Sequence, residues 1–215
     1  MTQKPRVGSA SARAAFIQAV GGQVAHVTAA SNLPSIRATG LHPAAALARA
    51  AGLAPGDIIL RDHRRIVGLA TLNHQRPILR GLTAARHMLD GHTAESWAAQ
   101  LDTRVFFWPA RRGAAFAASV ARDVEIAVLW LDAGALFDAC ADRLDLCPIN
   151  SGNFTQGGAR ARRGDWIYVP ASAGFDTFRQ NRLRRGLVRS PDAVREVSVR
   201  GALPARLMAQ AATQA

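Results

Sequence analysis

His26-Val27-Thr28, followed at once by Asn32-Leu33-Pro34-Ser35-Ile36 and Gly40-Leu41, is the stretch on which the fold turns. On an extended segment His26 and Thr28 point to the same face, because side chains alternate along a strand. The residues after them change period. Leu33 and Ile36 stand three apart and Gly40 supplies a stop, which predicts a short helix over 32–39. A strand with two polar, uncharged-capable side chains, backed by an anchoring helix, can hold a nucleotide-like ligand. It can equally hold His26 as a satisfied, half-buried histidine, and this stretch alone leaves both readings open.

Working outward, residues 9–20 read as an amphipathic helix ended by Gly21-Gly22, and Val24 to Thr28 as a strand. Pro43 opens a further Ala/Leu helix that runs to Gly52. Residues 56–80 are mixed, with Ile58-Ile59-Leu60 and Ile66-Val67 predicting strands beside basic turns. Thr83 to Leu89 and Thr93 to Leu101 read as helices, the second capped by Thr93 with Ser96 three residues on. Arg104 to Trp108 is a β-rich aromatic run stopped by Pro109, followed by a helix over roughly 111–121 and a buried-looking strand, Ile126 to Leu131. Another short helix covers 132–141, and Leu144 to Cys147 is a strand. From Asn150 to Asp165 the chain is rich in Gly, Asn and Arg without periodicity and reads as a mobile loop. Trp166 to Val169 and Val194 to Val199 are further strands, and the sequence after Pro204 reads as a frayed Ala-rich helix. Helices and strands mix without a βαβ rhythm, so the expected class is α+β, in one domain.

The bulk numbers are those of a globular protein, with 49% hydrophobic and 20% charged residues in 215. No apolar run approaches the roughly 18 residues needed to span a bilayer. The opening Met1 to Val7 leads into Ala/Ser-rich sequence without the continuous apolar core of a secretory leader. The expectation is a cytoplasmic protein without membrane association. Cys140 and Cys147 show no zinc-ligand spacing, so no metal site is expected, and two free thiols are expected over a disulfide. The net charge of +12 favours polyanionic partners, nucleic acid above all. Lys4 is the only lysine, so arginine supplies the other 26 basic residues. They cluster at 61–65, 111–112, 160–163 and 179–185, clusters that could also be no more than solvated faces.

Three places could carry chemistry. Glu196 lies in Val194-Arg195-Glu196-Val197-Ser198-Val199, where alternation puts Val194, Glu196 and Ser198 on one face and Val197 and Val199 on the other. A carboxylate there can serve a cleft, or can be an edge-strand charge that discourages aggregation. In Phe106-Phe107-Trp108 the alternation turns Phe106 and Trp108 one way and Phe107 the other, so one side could stack on a flat ring while the other packs a core. Pro148-Ile149-Asn150-Ser151-Gly152-Asn153 offers small polar groups for a ligand, or merely a turn. There is no Walker loop, GxGxxG, His–Glu metalloprotease spacing or GxSxG elbow, which argues against nucleotide hydrolases and serine hydrolases.

The order His-x-Thr, Asn-Leu-Pro-x-Ile, Gly-Leu, an aromatic strand and a late strand glutamate resembles the ADP-ribosyltransferase superfamily. Within it the chain looks most like the DarT toxins, which attach ADP-ribose to DNA bases. The matching residues are His26, Thr28, Asn32, Leu33, Ile36, Phe106, Phe107 and Glu196. A closer likeness, over most of residues 24–204, is to an uncharacterised bacterial family related to that fold. It rests on Asn73-His74-Gln75-Arg76-Pro77, Trp97, Val105 to Trp108, Cys147 to Gly152, Asp176-Thr177-Phe178 and Glu196 to Val199. It brings no known reaction. The chain departs from the toxins after the middle strand, where it continues Pro109-Ala110-Arg111-Arg112-Gly113. Their NAD-contacting arginine has no single counterpart; Arg61, Arg64 and Arg65 are candidates and Arg76 a weaker one.

The resemblance implies a split mixed sheet flanked by helices over 23–204, with residues 1–22 a helical extension and 205–215 a tail. It implies NAD as co-substrate and Glu196 as the catalytic carboxylate. His26 and Thr28 would bind ribose hydroxyls and the carboxamide, with Asn32 beside them, and Phe106 or Phe107 would pack on nicotinamide. An arginine of 61–65 would pair with the pyrophosphate. Asn150, Ser151, Arg160, Arg162 and Arg163 would meet the acceptor, a DNA or RNA base in the first instance, and a toxin-like role would bring an antitoxin partner. ADP-ribosylation of protein, or NAD hydrolysis without transfer, is the second expectation. A non-catalytic domain binding nucleotide or nucleic acid is the third.

Overall fold

Strand β1 (Gln23–Ala29) and helix α2 (Leu33–Thr39) form where the period changes, and the segment between them is a single 3₁₀ turn, Ala30–Asn32. Gly40 ends α2 at φ 98°, and a Cβ there would lie 2.1 Å from the Leu203 carbonyl, so only glycine fits. A computed structural model describes residues 7–121, 124–155, 161–184, 186, 189–190 and 192–214.

Helix α1 (Val7–Val20) precedes β1, and α3 (Ala44–Ala50) follows α2. A hairpin of β2 (Arg65–Val67) and β3 (Ala70–Leu72) comes next, then α4 (Arg76–Leu79), α5 (Leu82–Met88) and α6 (Ala94–Leu101). Thr93 caps α6 reciprocally with Ser96. The second half of the chain runs β4 (Arg104–Pro109), α7 (Ala110–Val120), β5 (Ile126–Asp132), α8 (Ala133–Cys140), β6 (Leu144–Cys147) and β7 (Val169–Pro170). It ends α9 (Phe175–Arg184), β8 (Glu196–Arg200), α10 (Ala205–Ala209) and β9 (Ala212–Gln214).

Among the described residues seven strands make one sheet in the order β7-β6-β8-β4-β1-β5-β9, each neighbouring pair antiparallel. Strand β4 changes partner along its length. Arg104 to Phe107 pair with β8, whereas Trp108 and Pro109 pair with Ala25 and Val24 of β1. Beyond Ala25 the two strands part. β1 stays fully paired to β5, so the gap opens on its β4 side only.

The alternation expected for the aromatic run and the late strand holds. Val105, Phe107, Val197 and Val199 enter the main core with Phe16, Leu129, Leu136 and Phe178, while Phe106 packs against a second core around Trp97, Phe154 and Ile167. Helix α7 lies close on β1 and β5 because Gly113 has no side chain; a Cβ there would meet Ala25 Cβ at 2.6 Å.

Several expectations are corrected by packing. Ile58-Ile59-Leu60 is not a strand: Pro55–Ile58 is a 3₁₀ turn that buries Ile58. Trp166 also begins no strand, since Asp165–Ile167 is 3₁₀ and β7 holds two residues. The 150–165 segment is no free surface loop where described, for Ser151, Phe154 and Arg163 are buried. The sequence pattern conceals α9, because its arginines mask a buried face made by Phe178 and Arg182 four residues apart. The boundaries at 22 and 204 are not breaks in the core: Ala12, Phe16 and Val20 on one side and Leu207, Met208 and Ala211 on the other all join it. The tail is docked, not frayed, since β9 pairs with β5. Among the described residues no helix is long and apolar enough to cross a membrane.

Candidate functional site

Where β1 and β4 part, the His26 ring fills the space the backbone ladder leaves. Its Nδ1 lies 2.9 Å from the Phe106 carbonyl oxygen. A carbonyl can only accept, so Nδ1 carries the proton, and burial holds the ring below its usual pKa and hence neutral. The neutral ring therefore presents Nε2 as an acceptor. By register His26 shares a face with Phe107 and Val197, whereas Glu196 shares one with Phe106. The parting of the strands makes one cleft that reaches both faces. It has a volume of about 1570 Å³ and is lined by His26, Thr28, Phe106, Asn150, Ser151 and Glu196 among others.

Glu196 lies on the cleft floor, 2% exposed. Its Oε1 accepts a hydrogen bond from Ser151 Oγ at 2.7 Å and a longer one from Ser151 N at 3.4 Å. Burial pushes the carboxyl up to about 7, against the opposing pull of the Ser151 hydrogen bonds and of the Arg104 and Arg163 charges. Ser151 is itself fixed through its carbonyl, which accepts from Trp97 Nε1 at 3.1 Å and from Arg163 at 3.1 Å. Opposite Glu196 in the ladder stands Cys147, whose thiol is raised far above its usual range by burial and by the Glu196 charge. A buried carboxyl that titrates near neutrality and faces a cleft can orient a hydroxyl or take a proton.

The other expected site residues divide. Thr28 and Asn32 line the cleft, but the Asn32 amide is spent on the scaffold: Nδ2 donates to Thr28 Oγ1 and to Thr71 O, and Oδ1 accepts from Thr71 N at 2.7 Å. Asn32 thus builds the cleft wall and has no amide hydrogen left for a ligand. Arg61 also lines the cleft, yet its guanidinium grips Asp102 with bonds of 2.7 and 3.0 Å and donates to the Ile58 and Asn73 carbonyls. Burial pushes the Asp102 carboxyl up and Arg61 pulls it back, the mark of an internal pair. The expectation of a pyrophosphate partner at Arg61 is corrected accordingly. Arg64 remains on the cleft and reaches the Val120 carbonyl, whereas Arg65 bonds the Asp57 carbonyl and is not in the lining.

Phe107 is wholly buried in the main core, so of the two phenylalanines only Phe106 can touch a ligand. Arg163 is fully buried, donates to the carbonyls of Ser151, Asn153 and Ala161, and lies 4.0 Å over the Phe154 ring. It shapes the 150–154 loop and cannot touch a nucleic acid. Arg162 pairs with Asp90 away from the cleft, and Arg160 lies outside the described residues. The sequence reading missed Arg104, which is locked to Asp145 at 2.6 Å and lies 3.8 Å over Tyr168, and the clamp made by Trp97. Arg195, beside Glu196 and on the cleft, was missed as a site residue too; its adjacency to the acid was the available signal.

Nothing matches this chain among curated proteins or among solved structures. The model of a family of unknown function, DUF7002, matches residues 22–209, a span that holds every expected site residue from His26 to Glu196. With most of its length covered by that match, the chain belongs to this family.

Proposed function

We propose that the cleft is the active site of an NAD-dependent ADP-ribosyltransferase, with Glu196 as the catalytic carboxylate and nucleic acid as the acceptor. The observation that carries the reading is that His26 and Glu196, far apart in sequence and on opposite faces of the sheet by register, line one cleft where β1 and β4 separate. The parting of β1 from β4 supports the split core expected of such enzymes. The volume of about 1570 Å³ exceeds the roughly 300–1,000 Å³ of ordinary small-molecule sites and leaves room for a dinucleotide beside an acceptor.

In this reading the bond that breaks joins nicotinamide nitrogen to the ribose C1′, and neutral nicotinamide leaves with the bonding pair. Ionised Glu196 faces the electron-poor sugar carbon and receives the proton released when the acceptor nucleophile bonds to C1′. Ser151 Oγ–H fixes the carboxylate. Neutral His26 accepts from a ribose hydroxyl through Nε2, and Phe106 covers the nicotinamide ring and keeps water out. The net charge of +12 supports a polyanionic acceptor.

Incubation with adenylate-labelled NAD and single-stranded DNA, RNA or cell extract tests this. Label on nucleic acid, absent with Glu196→Gln, is the expected result. The substitution should lower turnover at least about 100-fold while NAD affinity stays within several-fold, because the carboxylate acts mainly in the transition state. Label on protein, or free ADP-ribose, would move the acceptor to protein or water. Intact NAD under all conditions would end the enzymatic reading.

A further inference from the structure

Six arginines line the cleft, at 61, 64, 104, 111, 112 and 195, against Asp102, Asp192 and Glu196. Asp102 pairs with Arg61 and Asp192 with Arg179, while Glu196, held by Ser151, has Arg104 and Arg163 as its neighbouring charges. Arg61 and Arg104 are in turn neutralised internally. Arg111, Arg112 and Arg195 differ. They are exposed, and among the described residues no carboxylate, carbonyl or ring engages any of their guanidinium groups. Two come from the first turn of α7 and one from the residue before β8, so separate elements bring them to one cleft.

That placement is electrostatically unfavourable for an empty wall. The first turn of α7 contains no acidic residue and adds the partial positive charge of a helix N-terminus to Arg111 and Arg112. Arg112, though exposed, is held below the usual arginine range, first by partial desolvation and then by the charge of Arg195, which puts the two cations within each other's field. Guanidinium groups gathered without a counter-charge suit a phosphate, whose oxygens accept their planar forks of donors.

We infer that Arg111, Arg112 and Arg195 form a phosphate-binding edge of the cleft, which holds a phosphate of a nucleotide chain beside Glu196. The inference deepens the transferase reading and rests on it for the chemistry next door. Two sources share this ligand chemistry, the phosphodiester of a nucleic-acid strand and the pyrophosphate of NAD.

The test is binding by the full chain. Arg111, Arg112 and Arg195 are replaced together by Ala, and a control chain carries Arg49→Ala, Arg86→Ala and Arg206→Ala, which remove the same charge from exposed sites off the cleft. A labelled single-stranded oligonucleotide is titrated by fluorescence anisotropy at several salt concentrations, and NAD by calorimetry. The cleft variant should bind the oligonucleotide at least about tenfold more weakly, with the log–log salt slope reduced by about one for each arginine that contacts phosphate. The control should move little, and thermal melts of both should match the parent. A loss confined to NAD would also support the edge and would assign it to the pyrophosphate. Equal losses in both triple variants, no loss for either ligand, or a parent chain that binds neither would overturn it. Because no readout depends on turnover, a chain that binds through these arginines but leaves NAD intact sinks the transferase reading alone.

Discussion

Glu196 gives the sharpest single-site expectation, because the cost of its burial depends on pH. Its carboxyl titrates near 4.5 when solvated and at about 7 in the folded protein. Between those values the folded chain keeps a proton that the unfolded chain has released, so stability falls as pH rises through this window. Above about pH 7 the full penalty applies, about 3 kcal/mol, since each tenfold change in proton affinity is worth about 1.4 kcal/mol. Glu196→Gln cannot ionise and keeps an oxygen for Ser151. Urea unfolding should find it more stable than the parent by up to about 3 kcal/mol at pH 8 and nearly equal at pH 4. Equal stability of the two at both pH values would mean a solvated carboxylate. In the transferase reading, NAD turnover by the parent climbs with pH across the same interval, since ionised Glu196 is the working form.

The β2–β3 hairpin shows how one side chain can hold an element. It is short and exposes Ile66 and Leu69, while Val67 and Leu72 pack into a small cluster with Ala48 and Ile58, so packing fixes one face and leaves its backbone edge to be satisfied. What ties it to β1 is Asn32, which pairs with both the N–H and the C=O of Thr71 as another strand would. Asn32→Ala should cost about 2–3 kcal/mol, leaving two backbone groups and Thr28 without their partner. Hydrogen exchange should show the Thr71 amide losing protection while amides of β1 paired to β5 keep theirs. Retained protection at Thr71 would mean that the hairpin is held by packing instead. The sequence offered Asn32 as a ligand-binding amide because an amide satisfies a peptide group and a nucleotide with the same donors and acceptor. Its partners in the folded chain, Thr28 and Thr71, distinguish the two.

Residues 205–214 are built into the body of the protein. Leu207 and Met208 are buried in the main core, β9 extends the sheet beyond β5, and Arg37 of α2 donates to the carbonyls of Met208 and Ala211. Truncation after Pro204 should therefore destabilise the protein by about 3–6 kcal/mol, from two large apolar side chains at roughly 1.5–3 kcal/mol each. Thermal unfolding would register this as a drop of several degrees or more. An unchanged midpoint would restore the picture of a frayed tail. The Ala-rich composition after Pro204 pointed to fraying because helix propensity says nothing about what the helix packs against.

Local patterns carried the elements that local physics fixes. The strand-to-helix change at Thr28–Leu33, the Thr93–Ser96 cap, the alternation through Val105–Trp108 and the two faces of Glu196–Val199 are all written within a few neighbouring residues. They follow from side-chain period and capping, which need no distant partner. What the chain could not announce was the company each polar group keeps after folding. Arg61 meets Asp102, Arg163 is buried against the carbonyls of its own loop, and Arg111, Arg112 and Arg195 face the cleft with no such partner among the described residues. All five carry the same guanidinium, and its chemistry is the same toward a carboxylate, a carbonyl or a phosphate. Only the closing of distant segments around the gap between β1 and β4 distributes those roles, because charge pairing acts through space and not along the chain.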